Sequence, residues 1–334
     1  MTRPLVSIII PCYNSERWVA EAIESCLRQT YQPIEVIVVD DGSTDGSLSV
    51  IQKYAEHVII LTGPNRKLSA ARNKGFAVST GDYCLFLDAD DYLSPDTVEA
   101  LLEAATAKEN CVGVCRWCRF IDTPQGREII EVGEDYQVEG DLFYNRFTKW
   151  FMPPHSILWP RQVFERLGGW DEKLLNYHDY DLMARALLDG VGISRVHRGY
   201  AYYRKHSDTI SSSALISRDH ILSRIYFVEK LETLLQEKEL LERYASIVAG
   251  FYANIASVSL GLHDDLSERC IQRAIEFDGT RTISQGTWLH RIGVRLLGWK
   301  RKQRLAIFLS RLGVGSRARL ELTRIQSSYR EVSK

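Results

Sequence analysis

Hydrophobic residues occur along the first 110 positions in short clusters with two different spacings. Continuous apolar runs rich in β-branched residues predict buried strands at 6–10, 34–39, 58–61 and 83–87. Between these runs, apolar residues three and four positions apart predict amphipathic helices, for example at Val19, Ile23 and Leu27. Because buried strands alternate with helices, the pattern predicts an α/β fold with a parallel sheet covered on both faces.

The spacing of apolar residues changes twice further along the chain. Short strands, turns and one helix from about Asp181 to Leu188 predict a mixed extension of the sheet over 111–212. Beyond residue 213 the period is helical, with an apolar stripe at 222–235 and a helical hairpin at 244–277. We therefore expect an α/β domain over 1–212, with halves at 1–110 and 111–212, and a helical region over 213–334.

Composition and charge narrow the class of protein. The 334 residues are 45% hydrophobic and 25% charged, which is typical of globular proteins. The formal net charge of −1 favours no nucleic-acid partner, although basic residues dominate from Arg291 to the end. Residues 288–312 mix apolar and basic side chains, which predicts either peripheral contact with an anionic membrane or a helix packed on its own protein.

The seven cysteines lie in apolar segments, which favours buried free thiols in a reducing compartment. Cys111, Cys115 and Cys118 are close in sequence, but their segment resembles a strand, and zinc would need a fourth ligand. The apolar run near the N-terminus is short for a signal peptide, and no later run reaches ~18 apolar residues. These features predict a cytoplasmic protein, with the inner membrane face as its expected place of peripheral contact.

Polar residues follow three of the predicted strands directly. They are Pro11, Tyr13 and Asn14 after the first strand, Asp40 and Asp41 after the second, and Asp88, Asp90 and Asp91 after the fourth. In parallel sheets the strands' carboxyl ends form the ligand-binding edge. Three carboxylates within four residues repel one another, and a divalent cation relieves that repulsion. The alternative is a turn followed by a helix-capping acid.

Four segments resemble the family 2 glycosyltransferases of the GT-A fold. They are VSIIIPCYN at 6–14, VVDDGSTD at 38–45, AARNKG at 70–75 and GDYCLFLDADD at 81–91. The resemblance covers about residues 5–212 and implies an inverting transferase that uses a nucleotide-sugar donor. It implies a Rossmann-like mixed sheet, extended here by the C-terminal helices.

The resemblance implies roles for residues in the donor half. Pro11, Tyr13 and Asn14 would line the base pocket, and Asp41 would accept a hydrogen bond from uracil. Asp88 and Asp90 match the family's Asp-X-Asp motif, in which Asp90 would bind Mg²⁺ or Mn²⁺ and Asp88 would reach the ribose or the metal's hydration shell. Arg72 would contact the diphosphate or support Asp88; a structural salt bridge is the alternative. Lys67 replaces a glycine common at this position.

Residues of the second half complete the expected site. GGWDE at 168–172 and NYHDYDL at 176–182 resemble the family's acceptor-side motif, with His178 replacing the usual Glu. Asp179 would be the catalytic base, although it could also serve as a helix N-cap. His206, in YRKH at 203–206, would ligate the metal or bind the diphosphate, unless it is a solvated loop residue. His155 is expected to line the acceptor cleft.

The resulting expectation is an enzyme that transfers a sugar from a UDP-linked donor to a glycan or lipid-linked acceptor. A non-catalytic protein that binds sugar nucleotides, or a scaffold, is the alternative that the replacements at Lys67 and His178 leave open. A nucleotidyltransferase would share the acidic metal site. No glycine-rich loop with Arg and Lys for a triphosphate follows the first strand, which counts against it.

Overall fold

The structure, a computed structural model, describes residues 3–133, 135, 137–206, 216–279 and 301. The chain divides into two compact units, Met1–Thr209 and Ile210–Lys334. The predicted boundary at 211–213 lies outside the described residues, as does the basic segment at 288–312 except for residue 301, so both remain predictions. Within the described ranges, no helix is long and apolar enough to cross a membrane.

The first unit is built on one mixed sheet of nine strands. They are β1 (Val6–Cys12), β2 (Ile34–Asp40), β3 (Ile59–Thr62), β4 (Tyr83–Phe86), β5 (Tyr92–Leu93), β6 (Cys111–Thr123), β7 (Gly126–Val132), β8 (Ile157–Pro160) and β9 (Gly192–Arg204). Their order is β3-β2-β1-β4-β8-β6-β9-β5, and β7 pairs with β6 as a hairpin. Strands β1 to β4 are parallel. Strand β8 runs antiparallel to both neighbours. The predicted α/β fold with a mixed extension is therefore confirmed.

Helices connect these strands and cover the sheet. They are α1 (Val19–Leu27), α2 (Ser47–Gln52), α3 (Leu68–Val78), α4 (Thr97–Thr106), α5 (Leu142–Thr148), α6 (Arg161–Arg166) and α7 (His178–Leu188), with a 3₁₀ turn at Pro154–Ser156. Helix α7 begins at His178 and not at Asp181 as predicted, so Asp179 lies inside its first turn. Helix α5 was not predicted.

Alternate residues of β1 enter two different cores, one on each face of the sheet. Ile8 and Ile10 pack on one face with residues of α1 and α4. Ile9 packs on the other face with residues of α3, α6 and α7. This two-sided burial explains why the strand is a continuous apolar run, because neither face of it contacts water.

The seven cysteines are all buried free thiols, as the sequence predicts. Cys111, Cys115 and Cys118 lie on strand β6. Among the residues that the structure describes, no group of three His, Cys, Asp or Glu side chains could hold a metal by itself. The zinc alternative therefore has no support in the described chain.

The second unit contains three described helices, which are α8 (Arg218–Glu237), α9 (Ala245–Ser259) and α10 (Asp264–Asp278). Helices α9 and α10 form the predicted hairpin, and Ser267 of α10 donates a hydrogen bond of 2.8 Å to the carbonyl of Ala256. Arg273 of α10 pairs with Glu232 of α8. The predicted helical character of this region is confirmed over its described residues.

Candidate active site at the strand ends

Asp41 joins the loops that follow β2 and β3 through hydrogen bonds. Its N–H donates to the carbonyl of Cys12 at 2.8 Å. Its carboxylate accepts from the backbone N–H groups of Arg66 at 2.9 Å and Lys67 at 2.8 Å. Gly42 has φ +74°, and a Cβ there would lie 2.8 Å from the nitrogen of Asn65. The Asp-Gly pair thus permits a close backbone approach that a larger residue would prevent.

The residues after β1 present one exposed ring above a fixed loop. Pro11 is buried within the strand, whereas the side chain of Tyr13 is 49% exposed. The side-chain oxygen of Asn14 accepts from the N–H of Thr44 at 2.8 Å, and the Asn14 N–H donates to Ser43 Oγ at 3.0 Å. Asn14 thereby holds the loop after β2 against the end of β1. This arrangement leaves the Tyr13 ring available for stacking.

Asp88, at the end of β4, is held by a buried arginine from α3. Arg72 Nη2 lies 2.6 Å from Asp88 Oδ1, and the Arg72 side chain is only 1% exposed. Burial opposes ionisation of Asp88, but Arg72 and, more weakly, His155 and His178 outweigh it and lower the pKa of this carboxyl. The guanidinium carbon of Arg72 lies 4.5 Å from the ring centroid of Trp170. Asp88 is therefore ionised and fixed in position.

Asp90 lies beside His206, which comes 116 positions later in the chain. His206 Nε2 lies 2.9 Å from Asp90 Oδ2, and both side chains are partly exposed. The imidazole ring stacks on Trp18, with ring centroids 4.0 Å apart. Residues 116 positions apart in sequence thus form one pair of possible ligands, as the family resemblance implied.

Arg204 fixes the backbone of the same acidic segment, a role that sequence reasoning missed. Its N–H donates to Asp91 Oδ1 and its Nε to the carbonyl of Asp90, both at 2.7 Å. The buried guanidinium also pairs with Glu21 and Asp122. The only available signal was its place in the YRKH segment, two residues before His206.

Asp91 and His155 form a buried pair beneath this segment. His155 Nδ1 lies 3.3 Å from Asp91 Oδ2, and neither side chain contacts solvent. Burial and the neighbouring carboxylates of Asp90 and Asp88 raise the pKa of Asp91 well above its usual range. Burial lowers the pKa of His155 to about 4. The expectation that His155 lines an acceptor cleft was wrong, because the imidazole is fully enclosed.

Asp179 lies in the first turn of α7 with 21% of its side chain exposed. The N-cap position belongs to Tyr177, so the interpretation of Asp179 as an N-cap was wrong. Arg146 of α5, which sequence reasoning missed, places Nη2 at 3.3 Å from Asp179 Oδ2. Burial raises the pKa of Asp179, while Arg146 and Arg72 partly oppose the rise. A carboxylate with this environment is suited to accept a proton.

Helix α3 contacts residues of the segment 168–182 as well as Asp88. Ser69 Oγ lies 3.3 Å from His178 Nδ1, and Asn73 Nδ2 donates to the carbonyl of Trp170 at 2.8 Å. Arg72 acts electrostatically on both Asp88 and Asp179. Asp88 and Asp179 therefore both lie within the electrostatic influence of Arg72.

The chemistry of the Asp90 and His206 pair fits a divalent cation. Carboxylate oxygen and imidazole nitrogen suit Mn²⁺, and Mg²⁺ prefers the carboxylate oxygens. Two protein ligands with Asp88 nearby leave coordination positions for water and phosphate oxygens. Such a site matches a metal that is shared between protein and substrate, in contrast to a cage of protein ligands alone.

The chain is similar to several known proteins. The family described as Glycosyl transferase family 2 matches residues 7–168. An uncharacterized glycosyltransferase of Haemophilus influenzae is 43% identical over 106 residues, which are 30% of this chain and 42% of the relative. The uncharacterized glycosyltransferase RP339 of Rickettsia prowazekii is 30% identical over 74% of this chain and 71% of its own length. The hyaluronan synthase of Pasteurella multocida is 32% identical over 64% of this chain and 22% of its own length.

Two solved structures share the fold. S. aureus TarS 1–349 in complex with UDP-GlcNAc has a TM-score of 0.63 at 19% identity and covers 93% of each chain. The mannosyltransferase PcManGT of Pyrobaculum calidifontis, in complex with GDP-Man and Mn²⁺, has a TM-score of 0.51 at 17% identity. It covers 99% of this chain and 86% of that one. At these identities the likeness concerns the GT-A fold.

Proposed function

Because the chain belongs to glycosyl transferase family 2 and is thus a transferase enzyme, we propose that it moves a sugar from a UDP-linked donor to an acceptor hydroxyl with inversion. The observation that carries the proposal is that one buried arginine, Arg72, acts on both Asp88 and Asp179, while Asp90 pairs with His206. We assign donor binding to residues 1–110 and acceptor binding to 111–212, with 213–334 as a helical appendage.

Donor binding begins at the ends of β1 and β2. The exposed ring of Tyr13 provides a stacking surface for a nucleobase, supported by the rigid backbone at Pro11 and the hydrogen bonds of Asn14. Asp41 already accepts two backbone hydrogen bonds, but a carboxylate offers about four acceptor positions. One of these would accept the ring N–H of uracil, which favours UDP over nucleotides without that donor.

Asp90 and His206 would hold Mg²⁺ or Mn²⁺, with Asp88 oriented by Arg72 toward the ribose or the cation's hydration shell. When bound, such a cation supplies Lewis-acid stabilisation of the charge that develops on the leaving diphosphate. The chain's own contribution is orientation. Arg204 fixes the Asp90 backbone, Trp18 fixes the His206 ring, and Arg72 fixes Asp88, so that few side chains need to reorganise during the reaction.

Asp179 would remove the proton from the acceptor hydroxyl as that oxygen attacks the anomeric carbon. The attack comes from the face opposite the diphosphate, so one displacement inverts the configuration. The carboxylate is partly exposed, which allows contact with an acceptor. No covalent sugar–enzyme intermediate is needed.

The acceptor is proposed to be a glycan or a lipid-linked saccharide. The similarity to a hyaluronan synthase over 64% of this chain supports a polysaccharide product. A peripheral position on the cytoplasmic membrane face, through the basic segment at 288–312, would bring the enzyme to a lipid-linked acceptor. No feature of the overall charge favours a nucleic-acid partner.

A panel of UDP-, GDP- and dTDP-sugars assayed for nucleoside-diphosphate release tests this function. We expect release from a UDP-sugar that requires Mn²⁺ or Mg²⁺, stops with a chelator and is lost in Asp90→Asn. Asp189→Asn is the matched control, because Asp189 pairs with Arg166 outside the site. Donor binding without turnover on any acceptor would instead support a non-catalytic protein, and turnover without a metal would exclude the proposed role of Asp90.

A further inference from the structure

Two carboxylates of helix α7 lie two residues apart and pair with arginines of different origin. Asp181 pairs with Arg185 one turn later in the same helix, through Nη2 at 2.6 Å and Nε at 3.0 Å. Arg185 also donates to the carbonyl of Gly169 at 2.8 Å, so this pair joins α7 to the preceding loop. Asp179 instead pairs with Arg146, 33 residues earlier on helix α5.

Arg146 is held rigidly by groups around its guanidinium. Its side chain has no exposed surface. Nη1 donates to the carbonyl of Trp150 at 3.2 Å, and the guanidinium carbon lies 4.5 Å from the ring centroid of Tyr180. Nη2 points to Asp179 Oδ2 at 3.3 Å. A buried arginine is always charged, so its cost of desolvation is offset chiefly by these contacts.

The contact with Arg146 affects the ionisation of Asp179, because this carboxyl is largely buried. Burial raises the pKa of the Asp179 carboxyl. The opposing groups, in decreasing order, are Arg146 from α5, Arg72 from α3 and the backbone N–H groups of Asp179 and Tyr180 in α7 itself. Arg146 opposes the rise most strongly, at 3.3 Å from Asp179 Oδ2. A general base must be ionised before it can accept a proton, so the loss of Arg146 would reduce the fraction of active enzyme at low pH.

We propose that Arg146 is a positioning residue that keeps the Asp179 carboxylate ionised and directs it toward the acceptor hydroxyl, an inference that rests on the proposed role of Asp179 as the base. Arg146 has no surface through which to contact donor or acceptor. It therefore acts on the reaction only through Asp179.

The test is the pH dependence of UDP release from the UDP-sugar found by the panel, with water as acceptor and Mn²⁺ present. In Arg146→Met and Arg146→Gln, we expect the midpoint of the acidic limb to rise by about 1 to 3 pH units. The KM for the donor should stay within about twofold of wild type. In Arg146→Lys, the midpoint should lie close to the wild-type value. Arg185→Met, which removes the neighbouring pair, should leave the midpoint in place.

Three outcomes separate the two proposals. If Arg146→Gln lowers turnover equally at every pH, Arg146 is only structural and the inference fails. If Asp179→Asn is inactive while neither Arg146→Met nor Arg146→Gln shifts the midpoint, the assignment of Asp179 as the base stands and only the role of Arg146 is wrong. If Asp179→Asn retains wild-type turnover, the base assignment fails, and the role of Arg146 fails with it. Thermal melting of each variant identifies any that do not fold, and Arg146→Gln, the less disruptive replacement, then carries the comparison.

Discussion

The proposed donor side and the proposed acceptor side of the site are built differently. On the proposed donor side, the candidates after β1 and β2 follow parallel strands directly, and backbone groups of adjacent loops hold them, as Asp41 is held by the N–H groups of Arg66 and Lys67. On the proposed acceptor side, a buried arginine from a distant helix holds Asp179. Arg146 supports Asp179 across 33 positions, and the acids after β4 have the same kind of support, since Arg204 bonds the Asp90 carbonyl across 114.

The difference indicates which interactions hold the side chains of the site in position. Backbone hydrogen bonds of a strand-end loop are local consequences of the parallel sheet, so short motifs encode them. Buried charge pairs depend on the packing of whole helices and strands, and removal of one partner leaves an uncompensated charge. We therefore expect donor-side substitutions to affect donor affinity, and acceptor-side substitutions to affect turnover and stability.

The largest expected effect is the loss of the proposed base. Asp179→Asn should lower kcat by about 10² to 10⁴, because the amide cannot accept the acceptor's proton. Calorimetric affinity for the donor should be unchanged, whereas Asp41→Asn should weaken donor binding and leave kcat at saturation nearly intact. Equal losses of affinity and turnover in both variants would remove the distinction between the two sides.

The second prediction concerns the stability of the acidic segment. Arg204→Met should lower the free energy of unfolding by about 1 to 3 kcal/mol, since it removes the buried guanidinium that bonds Glu21, Asp122 and the Asp90 carbonyl. Arg127 still pairs with both carboxylates in this variant. Arg198→Met on the same strand should cost less than about 0.5 kcal/mol, because the Arg198–Glu103 pair is exposed. Urea unfolding measures both. Similar losses would indicate that burial of Arg204 is unimportant.

Lowering the pH should reduce the free energy of unfolding because of the buried imidazole of His155. Burial lowers the pKa of His155 to about 4 in the native state. As the pH falls, the His155 imidazole is therefore protonated in the unfolded state while it is still neutral in the native state, and this favours unfolding. Relative to His155→Gln, the wild type should lose about 2 kcal/mol of unfolding free energy between pH 7 and pH 5. Denaturant titration at the two pH values checks this, and parallel pH profiles of both proteins would contradict the burial of a neutral imidazole.

The smallest predicted effect tests a donor-side loop. Lys67 has φ 77° and ψ 166°, a conformation that is nearly exclusive to glycine. Lys67→Gly should therefore raise the free energy of unfolding by about 1 kcal/mol, whereas Arg66→Gly at the adjacent position should lower it. Thermal melting compares the two variants. Destabilisation by Lys67→Gly would mean that the lysine side chain makes contacts that outweigh the backbone strain.

Much of this architecture could be predicted because its causes are local in sequence. Apolar runs at β1 and β2 and helical spacing in α1 reflect burial on one or both faces, and the structure confirms these elements. The pairing of Asp90 with a residue near 206 was expected only through the family resemblance. The N-cap interpretation of Asp179 was wrong because the backbone at Tyr177 turns left-handed and starts the helix earlier.

The sequence by itself determined the parallel sheet, the strand-end acids and the family, since periodicity and short motifs express burial and turn geometry within a few residues. Only the tertiary structure decided which cation supports each acid, and that His155 is enclosed. The physical reason is that charge pairing and desolvation depend on distances between residues far apart in the chain, such as Arg146 and Asp179. Those distances exist only after the helices have packed.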